Sequence, residues 1–174
     1  MSRTKDEDDN ISEEIRECNA YSPDLAVDIH NNAGGGDGGE VFHSYLGGEG
    51  KTLAENILAE IVKVGQNSRG VKIRKNANGK DYYAFIRNTT CPAVIVECAF
   101  VDNATDLEIL ATEGKRQKMG QAIAKGILKT LGIEIQSETG TLYRVQVGAY
   151  KVKANAEAMQ KRLQEAGFSS FIAK

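Results

Sequence analysis

Apolar residues recur along the chain at two spacings, and segments with one spacing alternate with segments with the other. Every second residue is apolar over 25–30, and every residue of the segment 93–97 except the last is apolar. Both segments are therefore predicted to be strands. Apolar residues three and four positions apart predict amphipathic helices over 11–20, 52–64 and 115–131. Strands that alternate with helices are typical of an α/β fold, and we expect a layered sheet with flanking helices.

Shorter elements and loops complete this pattern. Strands are predicted over 40–45 and 82–87, and Asn103 is predicted to cap a short helix. The polar segment 68–80 and the glycine-rich segment 34–39 are predicted to be loops, the second of them flexible. The glycine-rich segment lacks the lysine and the Ser or Thr of a phosphate-binding loop, so we exclude nucleotide binding there. Capping boxes are predicted at the starts of the first two long helices: Asn10 with Glu13, and Thr52 with Glu55.

The apolar pattern restarts near the end of the chain, after a polar segment. It predicts a strand over 143–147, a helix over 154–166 and a second strand over 168–173. A single β-α-β unit leaves an unpaired sheet edge and a small core. We therefore do not expect this segment to be stable by itself.

Composition and charge narrow the class of protein. The chain of 174 residues has 41% hydrophobic and 26% charged residues, which is ordinary for a soluble globular protein with one good core. Its formal net charge of −2 gives no reason to expect nucleic-acid binding. No apolar run is long enough for a membrane span, and the acidic start of the chain is unlike a signal peptide. The three cysteines do not suggest a disulfide framework. The sequence leaves the oligomeric state open.

Two predicted strands end in side chains that can carry hydrolytic chemistry. His30 ends the first strand, and Glu97 ends the apolar strand. The carboxyl ends of neighbouring parallel strands meet at one end of a sheet, so we expect the two side chains to lie close together. An imidazole and a carboxylate placed in this way could form part of a zinc hydrolase site. Two alternatives remain: His30 as a hydrogen-bonded strand-end histidine, and Glu97 as a glutamate paired with a nearby Arg or Lys. No metal role is expected for the other histidine, His43.

These strand ends and the segments around them resemble the zinc-dependent N-acetylmuramoyl-L-alanine amidases of the Amidase_3 type. In that family one strand ends in Ser-Ile-His-x-Asn, and a later strand reads Pro-Ala-Val-Leu-Val-Glu-x-Gly-Phe, followed by Ser-Asn. Residues 28–32 are similar to the first motif and 92–103 to the second. Further similar segments are Arg3-Thr4 with Asp6, Asn19, Gly39-Glu40-Val41, Arg69-Gly70-Val71-Lys72 and Arg87-Asn88-Thr89.

The resemblance implies hydrolysis of the amide bond between N-acetylmuramic acid and L-alanine in peptidoglycan. It also implies a Zn²⁺ cofactor, a metal-ligand role for His30 and a catalytic acid and base role for Glu97. The family's other zinc ligands, a histidine and a glutamate, precede a Thr-Arg-x-x-Asp motif that here begins almost at Met1. We therefore expect those ligands upstream of Met1, an amidase domain without its first strand, first helix and second strand, and weak zinc binding by this chain. Smaller departures are Ala99 in place of glycine and Asp28 in place of serine.

The C-terminal segment resembles the start of a SPOR domain, a module that binds the glycan strands of peptidoglycan. The similarity lies in Tyr-Arg-Val-Gln-Val-Gly-Ala-Tyr, at 143–150, and in the helix predicted after it. The predicted organisation is an amidase catalytic domain over 1–132, a linker over 133–141 and a partial SPOR-like peptidoglycan-binding domain over 142–174.

Two other functions remain open at this point. One is a non-catalytic protein that only binds peptidoglycan, and the other is a different zinc exopeptidase of similar layout. The expected place of action is the bacterial cell wall, reached either by export with a leader that this sequence does not show or by release on lysis. A phage lysin, a sporulation enzyme and a vegetative autolysin all fit, and the muropeptide preference and the regulator stay open.

Overall fold

The computed structural model of the chain describes residues 10–134, 146–168 and 170–173. The chain divides into two compact units, Met1–Ile135 and Gln136–Lys174. The Arg3-Thr4 and Asp6 motif, most of the predicted linker and most of the predicted strand over 143–147 lie outside the described residues. The elements in chain order are α1 Ile11–Tyr21, β1 Ala26–Asn32, β2 Gly39–His43, α2 Glu49–Lys63, β3 Ser68–Lys72, α3 Ala84–Asn88, β4 Ala93–Phe100, α4 Ala104–Leu110 and α5 Glu113–Thr130, followed in the second unit by α6 Lys153–Glu165.

The larger unit is built around a four-stranded sheet with the strand order β1-β4-β2-β3. Strand β4 pairs in parallel with β1 and antiparallel with β2, and β2 pairs in parallel with β3. The first four residues of β4 are buried, as expected for an apolar strand in the middle of a sheet. With these strand directions, the last residues of β1 and β4 and the first residues of β2 and β3 lie at the same end of the sheet.

Helices cover the two faces of the sheet, and the predicted α/β layered sheet with flanking helices is confirmed. On one face, Val94 and Val96 of β4 belong to a buried cluster with side chains of α2 and α5. On the other face, Ile95 and Phe42 pack with side chains of α1 and α3. Because side chains alternate along a strand, Glu97 lies on the same face as Ile95. Glu97 is only partly buried, whereas Ile95 is buried.

Helices α2 and α5 approach each other closely at Gly126. A Cβ atom at this position would lie 2.5 Å from the Cα atom of Ile57, a distance that real Cβ atoms do not show. Glycine at this point therefore lets the backbones of the two helices come together, and the contact supports the core behind β4.

Two secondary-structure predictions for the larger unit are wrong. The segment 82–87, predicted as a strand, contains most of α3, because a short apolar run does not distinguish a strand from a buried helical turn. Arg87 stabilises the turn that leads into this helix by donating hydrogen bonds to the carbonyl oxygens of Asp81 and Tyr82. The segment 68–80, predicted as a loop, begins with β3, which is polar because it is an edge strand.

Side chains cap two helices as predicted, but not the third. Asn10 accepts a hydrogen bond from the backbone N–H of Glu13, and Asn103 caps α4 in the same way. Helix α2 begins at Glu49 instead of near Thr52, and no side chain caps it. Its first turn includes the buried Gly50, so packing against the sheet determines this helix start more than capping does. Among the described residues, no helix is long and apolar enough to cross a bilayer.

The second unit contains α6, close to the helix predicted over 154–166. In the described part of the segment 168–173 there is no strand where one was predicted. A strand needs a partner for its backbone hydrogen bonds, and the expected partner over 143–147 lies mostly outside the described residues. The boundaries of the predicted catalytic domain, linker and partial second domain stay a prediction.

Candidate functional site

The register of the sheet brings the two predicted site residues together. In the parallel pair of β1 and β4, His30 is the register partner of Glu97. In the antiparallel pair of β2 and β4, Glu40 is the register partner of the same Glu97. Register partners point to the same face of a sheet, so Glu97 stands between His30 and Glu40. We call these three side chains the strand-end row.

Glu97 is a half-buried carboxyl group whose surroundings favour its protonated form. Its Oε2 atom is buried and accepts no hydrogen bond from the part of the chain that the structure describes. Burial raises the pKa of Glu97, the positive charge of His30 partly offsets this increase, and the negative charges of Glu40 and Asp28 add to it. A carboxyl group with a raised pKa holds a proton at a pH closer to neutral, as a general acid and base must.

His30 is held by a contact with an acidic residue on its own strand. The Nε2 atom of His30 lies 2.8 Å from Oδ2 of Asp28. The two residues are two positions apart, so their side chains share a face of the sheet. The side chain of His30 is 45% exposed, whereas that of Asp28 is 23% exposed. The imidazole is therefore accessible from solvent and oriented by a carboxylate.

Glu40 is a buried carboxylate that the sequence analysis did not predict as part of the site. Its side chain is 5% exposed and accepts hydrogen bonds from Nε of Arg69 at 2.7 Å and from Nζ of Lys72. Nδ2 of Asn32 donates a third, at 3.0 Å. Burial alone would raise the pKa of Glu40, but the bonds to Lys72 and Arg69 outweigh it and lower the pKa. Glu40, like Glu97, is a glutamate within an apolar strand, and this pattern could have identified it from the sequence.

The glycine-rich loop between β1 and β2 borders the strand-end row, and side chains that follow β4 hold it. A Cβ atom at Gly36 would lie 2.2 Å from Cζ of Phe100, so the loop backbone rests directly on that ring. The loop is therefore anchored where a flexible one was predicted. Its backbone takes part in hydrogen bonds of 2.7–3.1 Å with three side chains: Asp102 accepts from the N–H groups of Gly34 and Gly35, Asp106 accepts from that of Gly38, and Asn103 donates to the carbonyl oxygen of Gly36.

The second histidine lies apart from the strand-end row, and the cysteines are not suited to complete a metal site. His43 is the register partner of Val94, toward the other end of the sheet from Glu97. Its Nδ1 atom lies 2.8 Å from the carbonyl oxygen of Ser44, and its side chain is buried. The three cysteines are free thiols, and burial raises the pKa of Cys98 to about 12, so this thiol is poorly suited to bind metal as a thiolate.

The described residues supply part of the donor set that a catalytic zinc site uses. His30 offers an imidazole, and Glu97 offers a buried carboxyl oxygen without a hydrogen-bond partner among these residues. Catalytic zinc sites commonly have three protein ligands. Within the described ranges, no group of three or more His, Cys, Asp or Glu side chains could hold a metal ion. His30 therefore fits zinc as one ligand of a larger set.

A histidine and a glutamate side by side at the strand ends of an α/β sheet can supply the acid–base chemistry of a hydrolytic enzyme. Residues 1–129 match the family described as N-acetylmuramoyl-L-alanine amidase, and residues 117–174 match the SPOR domain. The chain belongs to the N-acetylmuramoyl-L-alanine amidase family, as its resemblance predicted.

Two curated relatives align with nearly the whole chain. The sporulation-specific N-acetylmuramoyl-L-alanine amidase of Bacillus subtilis is 31% identical over 177 residues, which cover 99% of this chain and 65% of the relative. The N-acetylmuramoyl-L-alanine amidase CwlM of Bacillus licheniformis is 30% identical over 174 residues, with the same coverage of 99% and 65%. The chain thus spans 65% of the length of these two relatives.

Solved structures share the fold of the larger unit. Cwp6 from Clostridium difficile is 39% identical with a TM-score of 0.73, and the match covers 75% of this chain and 22% of that protein. The N-acetylmuramyl-L-alanine amidase Ami1 from Mycobacterium smegmatis is 26% identical with a TM-score of 0.66, covering 76% of this chain and 66% of Ami1. Together with the sheet described above, these likenesses confirm the predicted fold class.

Proposed function

We propose that the strand-end row belongs to a zinc-dependent amidase site that hydrolyses the bond between N-acetylmuramic acid and L-alanine in peptidoglycan. The observation that carries this proposal is the pairing of His30 with Glu97 as register partners at the strand ends of a chain in this family. The two relatives that align with 99% of the chain and are named as amidases support it.

Glu97 is the proposed acid and base of the reaction. An amide is a poor electrophile, and a zinc ion held in part by His30 would supply Lewis-acid chemistry by polarising the carbonyl group and lowering the pKa of water toward about 7. Glu97 takes a proton from the attacking water and later gives it to the nitrogen of the leaving alanine. Its raised pKa makes Glu97 a stronger base for the first step and keeps the carboxyl group protonated until it transfers the proton to the nitrogen as the C–N bond breaks.

The two glutamates of the strand-end row are expected to have different roles because their surroundings move their pKa values apart. Burial raises the pKa of Glu97, whereas the hydrogen bonds from Lys72 and Arg69 lower that of Glu40. Titratable neighbours whose pKa values diverge are the usual basis for assigning acid and base roles. Glu40 therefore stays ionised and serves as an anchor for the two cations, and the proton transfers are assigned to Glu97.

For the second unit we propose binding to the glycan strands of peptidoglycan. The match of residues 117–174 to the SPOR domain supports this role, and it also supports the proposal that the protein acts at the bacterial cell wall. In the proposed organisation, residues 1–132 carry the chemistry, 133–141 connect the domains and 142–174 form part of a binding domain.

The direct test is the release of stem peptides from purified peptidoglycan by this chain in the presence of Zn²⁺. We expect new amino groups of L-alanine to appear with zinc, to disappear with a chelator, and to form at least about 100-fold more slowly with Glu97→Gln. Glu55→Gln, which changes an exposed glutamate on α2, is the matched control and should keep the activity. Since His30 is one ligand of a larger set, the rate should keep rising at zinc concentrations far above that of the protein.

Other outcomes of this assay separate the competing functions. Equal release by the Glu97→Gln variant would contradict the role of this carboxyl group. Co-sedimentation of the chain with peptidoglycan, without release at any zinc concentration, would favour the non-catalytic binding function. Release of amino acids from the carboxyl end of the stem peptide would favour a zinc exopeptidase.

A further inference from the structure

The contact between His30 and Asp28 links the candidate metal ligand to a second acidic side chain. Nε2 of His30 lies 2.8 Å from Oδ2 of Asp28, which is within hydrogen-bond distance. The side chain of Asp28 is 23% exposed, so the contact is partly shielded from water and strengthened by this shielding. The position of Asp28 corresponds to the serine of the Ser-Ile-His-x-Asn motif.

The contact favours the tautomer of His30 that carries its proton on Nε2. An ionised carboxylate can only accept hydrogen bonds, so Nε2 must be the donor. In a neutral imidazole with its proton on Nε2, the lone pair is on Nδ1, and a metal ion binds the nitrogen that has the lone pair. Histidine ligands commonly donate their other ring N–H to a carboxylate, which fixes both the tautomer and the orientation of the ring.

We propose that Asp28 is a positioning residue for His30: it accepts the Nε2–H group and thereby presents Nδ1 as the zinc-binding nitrogen. The metal part of this inference rests on the proposed zinc-dependent function. Its structural part, the tautomer of His30, can be measured without zinc. Asp28 acts through His30 and does not contact the reacting atoms.

His43 provides an internal reference for the tautomer of His30. Its Nδ1 atom lies 2.8 Å from the carbonyl oxygen of Ser44, and a carbonyl oxygen only accepts hydrogen bonds, so Nδ1 of His43 must donate. The chain contains two histidines. A spectrum of its imidazole nitrogens therefore shows two rings, and we expect them to have opposite tautomers.

The test is long-range proton–nitrogen correlation NMR of the whole chain, with isotope-labelled histidine and a chelator. At about pH 8, well above the ordinary histidine pKa of about 6.5, we expect Nε2–H for His30 and Nδ1–H for His43, assigned with a His30→Ala sample. Asp28→Ala should convert His30 to a mixture of tautomers, whereas Asp28→Asn should keep Nε2–H, because the amide oxygen still accepts. Asp24→Ala removes an exposed carboxylate just before β1 and should change neither ring.

A zinc titration of the same samples completes the test. With excess Zn²⁺, the Nδ1 resonance of His30 should shift while Nε2 stays protonated, and Asp28→Ala should weaken zinc binding about 10- to 100-fold. A protonated Nδ1 of His30 in the unaltered chain, no Nδ1 shift at excess zinc, or an unchanged zinc affinity in Asp28→Ala would each overturn the inference. The expected tautomer and zinc shift without release of stem peptides would support the inference and count against the proposed function. Release of stem peptides by a chain in which His30 has the opposite tautomer would support the proposed function and overturn the inference.

Discussion

Replacing each glutamate of the strand-end row by glutamine should change the stability of the protein in opposite directions. Glu40 and Glu97 are register partners on neighbouring strands. The two substitutions therefore make the same chemical change at adjacent positions of the sheet. Their pKa values are shifted in opposite directions, because Glu40 lies between two cations, whereas at Glu97 burial and two neighbouring carboxylates outweigh the charge of His30. The pair therefore tests the electrostatic description of the site without any assay of activity.

Glu40→Gln removes the charge from the hydrogen bonds with Arg69 and Lys72. Removing one partner of a buried ion pair costs about 3–5 kcal/mol. The side chains of Arg69 and Lys72 are 35% and 33% exposed, so water can replace part of the lost interaction. We therefore expect the free energy of unfolding at pH 7 to fall by about 2–3 kcal/mol.

Glu97→Gln should raise the free energy of unfolding at neutral pH. The pKa of Glu97 is above its ordinary value in the folded protein, so the folded state binds the proton more tightly than the unfolded state. The resulting stabilisation is complete at acidic pH and is lost as the pH rises through the folded pKa. Glutamine carries no charge, so the Glu97→Gln variant does not lose this stabilisation when the pH rises to neutral. For Glu40, whose pKa is lowered, the stabilisation is present above the ordinary pKa of 4.5 and is lost as the pH falls through the folded pKa.

The measurement is urea unfolding of both variants and of Glu55→Gln as the surface control, in a chelator, from pH 7 down to about pH 3. We expect the difference between the two variants to be largest at pH 7 and to shrink as the pH falls. A loss of stability in Glu97→Gln equal to that in Glu40→Gln, or a difference that does not depend on pH, would refute the assigned charges.

Further substitutions test the packing that positions the site. Gly126→Ala should lower the Tm, because the added Cβ would lie 2.5 Å from the Cα atom of Ile57, whereas Gly120→Ala on the same helix, with no neighbouring atom within 4 Å, should raise stability by about 1 kcal/mol. Equal Tm changes in thermal unfolding would contradict the close approach of α2 and α5. Asp106→Ala leaves two buried backbone N–H groups without an acceptor, at about 1–3 kcal/mol each, so urea unfolding should show a loss of about 2–6 kcal/mol. A loss below about 1 kcal/mol would show that water replaces these bonds.

The strands that carry the predicted site could be read from the sequence because their signals are local. A continuous apolar run predicted β4, and the alternation before His30 predicted β1. Because parallel strands end at the same edge of a sheet, His30 and Glu97 were predicted to be neighbours. In the structure they are register partners. Their catalytic roles are still a proposal.

The rest of the site depends on contacts between distant segments, which a local pattern does not contain. Strand β3 looks like a polar loop in the sequence and becomes a strand because β2 provides hydrogen-bond partners for it. Only then do Arg69 and Lys72 reach Glu40, so the buried ion pairs could not be predicted. The anchoring of the glycine-rich loop likewise depends on side chains more than 60 residues away, such as Asp102, which lies 68 positions from Gly34.

The most direct test of the central claim is a zinc titration of the 174-residue chain beside a His30→Ala variant. We predict weak but saturable zinc binding that is lost in the variant, because His30 is the proposed ligand and a strong site needs about three. Equal zinc binding by both proteins would contradict the role of His30. Retention of close to one zinc per chain after dialysis would contradict the predicted weak binding.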